Sequence, residues 1–202
     1  MRTLILARHG EAGSNDRGIV SGTPPGDDLT AAGREQAALL DRALAGIEVD
    51  LGVATEFRRT QETLELALGG RRVPRIVMPE FNEIRFGAFD GGPLVVYREW
   101  AWSEEPDLRP PGDGESRAEV AARIARGLDM LLDGSAQEIL LVGHALPVRY
   151  VIDAADGRFP AAKIEPVEHA TLHRLTADAV TTAAETLRSW SRAPRFRDSG
   201  AL

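Results

Sequence analysis

No cysteine occurs among the 202 residues, which excludes disulfides, thiolate nucleophiles and cysteine-ligated zinc. Histidine is nearly as scarce: His9, His144, His169 and His173 are all there are. His169 and His173 have the i, i+4 spacing of paired ligands on a helix. Their surroundings alternate like a strand, however, in which four residues span about 13 Å. Neither is given a role, and no metal or other cofactor is expected. Positive charge is also short, with 24 Lys and Arg against 31 Asp and Glu and a net charge of -7, so a general nucleic-acid binder is excluded. No stretch approaches 18 consecutive apolar residues, and the opening Met1-Arg2-Thr3-Leu4-Ile5-Leu6-Ala7-Arg8 reaches charge too soon for a signal peptide. A membrane partner is therefore not expected, and the protein is expected in the cytoplasm. No internal repeat is present.

What the chain does contain is an alternation of short apolar runs and helical patterns. The runs Thr3 to Ala7, Leu51 to Ala54, Arg75 to Met78 and Glu138 to Val142 have the length and content of strands buried on both faces. Between them, helical spacing starts at a Thr30 cap, covers Phe57 to Leu68, and starts again at Ser116 with Val120, Ile124, Leu128 and Leu131 as its apolar stripe. A further strand is expected around His169 to His173. The order predicts an α/β fold, a three-layer α/β/α sandwich on a largely parallel central sheet. The length suits a single domain over residues 1–202. Residues 91–114, with Trp100 and Trp102, read either as a cap over a site or as a solvated connection anchored by its tryptophans. Residues 192–202 read as a polar tail.

Two of the apolar runs end in histidine. Arg8-His9-Gly10-Glu11 follows the first and Gly143-His144 follows the fourth. Ligands in open α/β sheets collect beyond the carboxyl ends of strands, so two imidazoles and an arginine would share one pocket suited to phosphoryl chemistry.

With further elements in chain order, the sequence resembles the histidine phosphatase superfamily, also called the phosphoglycerate mutase-like family. Those elements are Asn15, Ser21-Gly22, Leu29-Thr30-Ala31-Ala32-Gly33, the stretch Thr55 to Thr63, Phe81 to Gly91 with Glu83, and Gly114-Glu115-Ser116. Spacing selects Arg59, four residues from both Thr55 and Thr63, over Arg58. Three places depart from the family pattern: Ala12, Thr55-Glu56-Phe57 as an unusual version of its element, and Ala145 where glycine is frequent after the second histidine.

The resemblance implies a phosphoglycerate mutase-like fold and a metal-independent phosphomonoesterase. In it His9 forms a phosphohistidine, Arg8, Arg59 and His144 hold phosphoryl charge, and Glu83 donates the proton. Asn15 would bind the phosphate, with Ser21 and Gly22 at the mouth. The partner expected is a small phosphorylated metabolite or inorganic phosphate; monomer and homodimer both stay open. A mutase, a phosphoprotein phosphatase and a silent phospho-ligand binder are the alternatives. Against a mutase, the 91–114 segment offers only Arg98 and Arg109 for a substrate carboxylate.

Overall fold

The computed structural model describes residues 1–197; the last five residues of the expected tail lie outside the described residues. Five strands form one sheet in the order β3-β2-β4-β1-β5. They are β1 (Thr3–Arg8), β2 (Leu51–Ala54), β3 (Arg75–Val77), β4 (Glu138–Gly143) and β5 (His173–Thr176). All pairings are parallel except β1 with β5.

The run-like composition of β1 and β4 has its cause in burial on both faces. Leu4, Leu6, Ile139 and Leu141 enter one apolar layer, while Ile5, Ala7, Leu140 and Val142 enter the other. The second layer is closed by α2 (Ala31–Ala43) and α3 (Arg58–Leu68). The first is closed by α5 (Arg117–Asp133), α6 (Ala145–Ala155) and α7 (Ala177–Arg192). Each fully buried leucine or isoleucine here contributes about 1.5–3 kcal/mol of burial. The short α1 (Gly13–Asp16) and α4 (Leu94–Ser103) stand at the strand carboxyl ends.

Caps fall where the sequence places them. Thr30 Oγ1 accepts from Gly33 N, and Ser116 Oγ accepts from Glu119 N while Glu119 returns a bond to Ser116 N.

Three expectations change. β3 is an exposed edge strand, not one buried on both faces; its apolar run records pairing to β2 on one side only. The late strand runs over His173–Thr176, not from His169, because His169 touches β1 as an isolated parallel bridge to Arg8 and the chain then turns at Ala170, φ +50°, before returning antiparallel. The expected polar tail is bound over its first residues: Phe196 packs against Trp190 and Arg197 Nη2 reaches Asp153.

Candidate active site

The register of β1 and β4 pairs Arg8 with Gly143, and His9 N donates to Gly143 O at 3.0 Å. His9 and His144 therefore leave the sheet side by side, with ring centroids 5.2 Å apart. Only glycine fits next. A Cβ on Gly10 would stand 2.4 Å from Gly33 O, and one on Gly33 would stand 2.0 Å from Glu11 O. The glycine that ends the Leu-Thr-x-x-Gly element thus lets α2 touch the turn after His9.

His9 is buried and its tautomer follows from its partners. Arg59 Nε donates to His9 Nε2 at 3.1 Å, so that nitrogen carries the lone pair, and Nδ1–H donates to Gly10 O at 2.6 Å. Burial first, then the Arg59 and Arg8 charges, push the His9 pKa well below its usual 6.5. The ring is neutral at pH 7 with Nε2 unprotonated.

The same reasoning fixes His144. Arg59 Nη2 donates to His144 Nδ1 at 3.2 Å, so Nε2–H donates to Thr55 Oγ1 at 2.9 Å. Thr55 Oγ1–H donates to Thr60 Oγ1, which donates to Phe57 O. Burial and Arg59 hold this histidine neutral as well. Thr63 Oγ1 donates to Arg59 O at 2.6 Å and accepts from Gly10 N at 3.0 Å. The threonines of the Thr55-to-Thr63 element are thus the wiring that seats Arg59 and His144. Arg58, by contrast, is exposed and faces Asp28 at 3.7 Å.

Arg59 is nearly buried, lies 4.3 Å over the Phe57 ring, and gives Nη2 to Ser21 O at 2.9 Å. Burial lowers its pKa to about 10, so it remains charged. Arg8 gives Nη1 to Val167 O at 2.8 Å, and its buried Nε has no partner among the described residues. Glu83 is half-buried and accepts from Ile84 N at 3.0 Å; burial raises its pKa above 4.5 against the pull of Arg59, Arg123 and Arg8.

A cavity of about 280 Å³ opens over these groups. Arg8, His9, Asn15, Ser21, Arg59 and Glu83 line it, as does Arg98; Gly22 and His144 do not. Asn15 Oδ1 accepts from Ala12 N, which leaves its amide NH2 as the donor. Gly22 is needed for packing, since a Cβ there would meet Ile84 O at 2.4 Å, and its N–H donates to Asp90. His144 stands behind Arg59, with both ring nitrogens engaged. Ala145 begins α6 without a positive φ, so the missing glycine costs nothing there. Among the described residues, no three His, Asp or Glu side chains form a group that could hold a metal ion, and no helix is long and apolar enough to cross a membrane.

Sequence reasoning missed three residues. His169, given no role, donates Nδ1–H to the His9 carbonyl at 2.7 Å. Arg123 pairs with Glu115 at 2.8 Å and donates to the carbonyls of Glu80 and Glu83 at 2.8 and 3.2 Å. It fixes the loop that bears Glu83, which explains the glutamate of Gly114-Glu115-Ser116; an arginine on the buried stripe of α5 was the available signal. Tyr97 enters the cavity from α4.

The chain is 34% identical over 151 residues to the adenosylcobalamin/alpha-ribazole phosphatase of Escherichia coli (strain K12), covering 70% of this chain and 72% of that one. It is 30% identical over 212 residues to the 2,3-bisphosphoglycerate-dependent phosphoglycerate mutase of Rhizobium rhizogenes, covering 95% and 98%. The solved structure of the alpha-ribazole phosphatase from Shigella flexneri superposes with a TM-score of 0.73 at 28% identity, over 85% of this chain and 89% of that chain. The family model of the histidine phosphatase superfamily (branch 1) matches residues 4–190, and the chain belongs to that superfamily.

Proposed function

We propose that the protein is a metal-independent phosphomonoesterase acting on a small phosphorylated metabolite through a phosphohistidine on His9. Its superfamily and its relatives, named as phosphatases and a mutase, support the coarser statement of a phosphatase or phosphoryl-transfer role. The observation that carries the finer reading is the contact of Arg59 Nε with the unprotonated Nε2 of His9.

In the proposed reaction the substrate phosphoryl group draws Arg59 from the imidazole to its own oxygens, which frees the Nε2 lone pair. Nε2 then attacks phosphorus while the ester P–O bond breaks. Arg8, whose buried Nε lacks a partner, Arg59 and Asn15 bind the phosphoryl oxygens, with Ser21 steadying Arg59. With Arg59 drawn to the phosphoryl oxygens, His144 Nδ1 takes the proton of a monoanionic phosphoryl P–OH and returns it as a hydrogen bond to the same oxygen. Glu83, whose pKa burial raises, gives its proton to the leaving alkoxide. As a carboxylate it then takes one from the water that attacks the phosphohistidine, breaking P–N and restoring His9.

The test is phosphate release from p-nitrophenyl phosphate and a panel of alkyl monoesters with EDTA present. Turnover should survive the chelator and vanish in His9→Ala. Glu83→Gln should lose more on alkyl esters, whose alkoxides need a proton, than on the nitrophenyl ester. Alkyl-ester turnover should also fall as pH rises through the raised Glu83 pKa. No release from any ester overturns the proposal.

The mutase reading draws on the longer alignment with the Rhizobium protein. Against it, Arg109 is held by Glu119 in an exposed ion pair, so Arg98 has no second arginine from its segment at the cavity. Retention of phosphate on the enzyme with transfer to an added hydroxyl acid, rather than to water, would decide for it.

A further inference from the structure

The cavity that holds His9 and Arg59 is also lined by Leu94, Ala101 and Trp102 of α4 and by Leu146, Ile164 and Val167. None of these six carries a charge. Four polar side chains share this wall with them: Tyr97, Arg98, Arg117 and Glu165. Tyr97 is 6% exposed, and its hydroxyl is buried with no partner among the described residues. Arg117 is 8% exposed and gives Nε to the Tyr150 hydroxyl at 2.6 Å and Nη2 to Ala161 O at 3.1 Å. The neighbouring arginines Arg109 and Arg123 are paired with Glu119 and Glu115, whereas no carboxylate lies within ion-pair distance of Arg117 among the described residues.

The Tyr97 hydroxyl has no packing purpose. Its ring meets Phe86 edge-on at 4.6 Å and lies 5.8 and 6.0 Å from Phe89 and Trp100, contacts that phenylalanine would make equally well. A buried hydroxyl without a partner works against folding, so its explanation belongs to what enters the cavity.

We propose that Tyr97 and Arg117 form an acceptor-oxygen subsite beside the apolar side chains of the cavity. The substrate is then a phosphomonoester whose alcohol is a mainly apolar, ring-sized body bearing a carbonyl or carboxylate oxygen remote from the ester. This rests on the phosphomonoesterase reading of the same cavity. A volume of about 280 Å³ suits a phosphoryl group plus one ring, near the lower end for ligand pockets. A three-carbon acid would leave the apolar wall uncovered.

Phosphonates separate this inference from catalysis, because their P–C bond is not hydrolysed. Calorimetry on the full chain would compare benzylphosphonate with its 4-carbamoyl and 4-carboxy derivatives, in the wild type and in Tyr97→Phe. Either added group should tighten binding by about tenfold in the wild type, the gain expected of one good buried hydrogen bond. Tyr97→Phe should cut that gain to less than about twofold without lowering the melting temperature. Equal gains identify a neutral acceptor, and a larger gain for the carboxylate identifies an acid with Arg117 supplying charge. No gain from either group, an undiminished gain in Tyr97→Phe, or a lowered melting temperature overturns the subsite. Phenyl phosphate turnover, measured alongside, reports on the phosphomonoesterase reading alone.

Discussion

The two ends of the cavity are built in opposite ways. At the phosphoryl end almost every polar atom is engaged: Arg59 bonds His9, His144 and Ser21, and Thr55, Thr60 and Thr63 fix the groups behind it. At the other end, Leu94, Ala101, Leu146, Ile164 and Val167 share the wall with a tyrosine hydroxyl that has no partner and with Arg98, Arg117 and Glu165. A hydrogen-bonded network holds one geometry and serves one chemistry, whereas an apolar wall accepts any body of suitable size. Under the proposed reading, reaction type and substrate choice are carried by different residues of the same cavity, and each can change without the other.

Substitutions sharpen the contrast. The largest effect belongs to His9→Ala, which should lower kcat by about 10⁴-fold on every ester alike, read as phosphate release. Arg59→Lys should cost about 10²-fold, again with no selectivity between esters, because an ammonium cannot reproduce the fork that spans both histidines. Glu115→Ala leaves Arg123 buried without its partner and should destabilise the fold by about 3 kcal/mol in urea titration. It should also slow alkyl-ester cleavage, since the Glu83 loop loses its anchor.

Next comes pH. His9 and His144 are held neutral, their pKa values pushed well below 6.5 by burial. Below about pH 6.5 the unfolded chain takes up protons that the folded chain refuses, so each should remove up to about 1.4 kcal/mol per pH unit. Denaturation midpoints measured from pH 7 to pH 5 should fall, and less steeply in His144→Gln. The smallest effect lies in the chamber: Ala101→Leu should shift the ratio of aryl to short alkyl turnover by several-fold, about 1 kcal/mol, through KM. A uniform loss on all esters from that substitution would break the division between the two ends.

How far the sequence could be read follows the same division. β1, β2 and β4 are legible because strands with neighbours on both sides appear as apolar runs, and the Arg8-His9-Gly10 and Gly143-His144 ends come with them. Arg59 is legible because the bonds of Thr55 and Thr63 fix its spacing. Arg123, His169 and Tyr97 carry no such signature: His169 and Arg123 act through contacts between segments far apart in sequence, as in the 160-residue separation of His169 from His9, and Tyr97 acts only by lining the cavity. His144 is correctly paired with His9 in the sequence reading, but its position behind Arg59 is set by side-chain packing that no spacing encodes. The 91–114 segment contains α4, whose exposed Val95 and Val96 obscure the face that Leu94, Tyr97 and Ala101 turn to the cavity.

The strand order has a consequence for how the molecule comes apart. β1 and β4 are interior strands, flanked by β5 and β2, so the amides of Arg8 to Gly10 and Val142 to His144 should exchange with solvent only when the whole sheet opens. α4 is outside the sheet, with Val95 58% exposed, and should exchange through local opening at far lower cost. On gentle heating or in dilute denaturant, discrimination between esters should therefore fade first, leaving for a time a less selective enzyme whose reacting groups remain assembled.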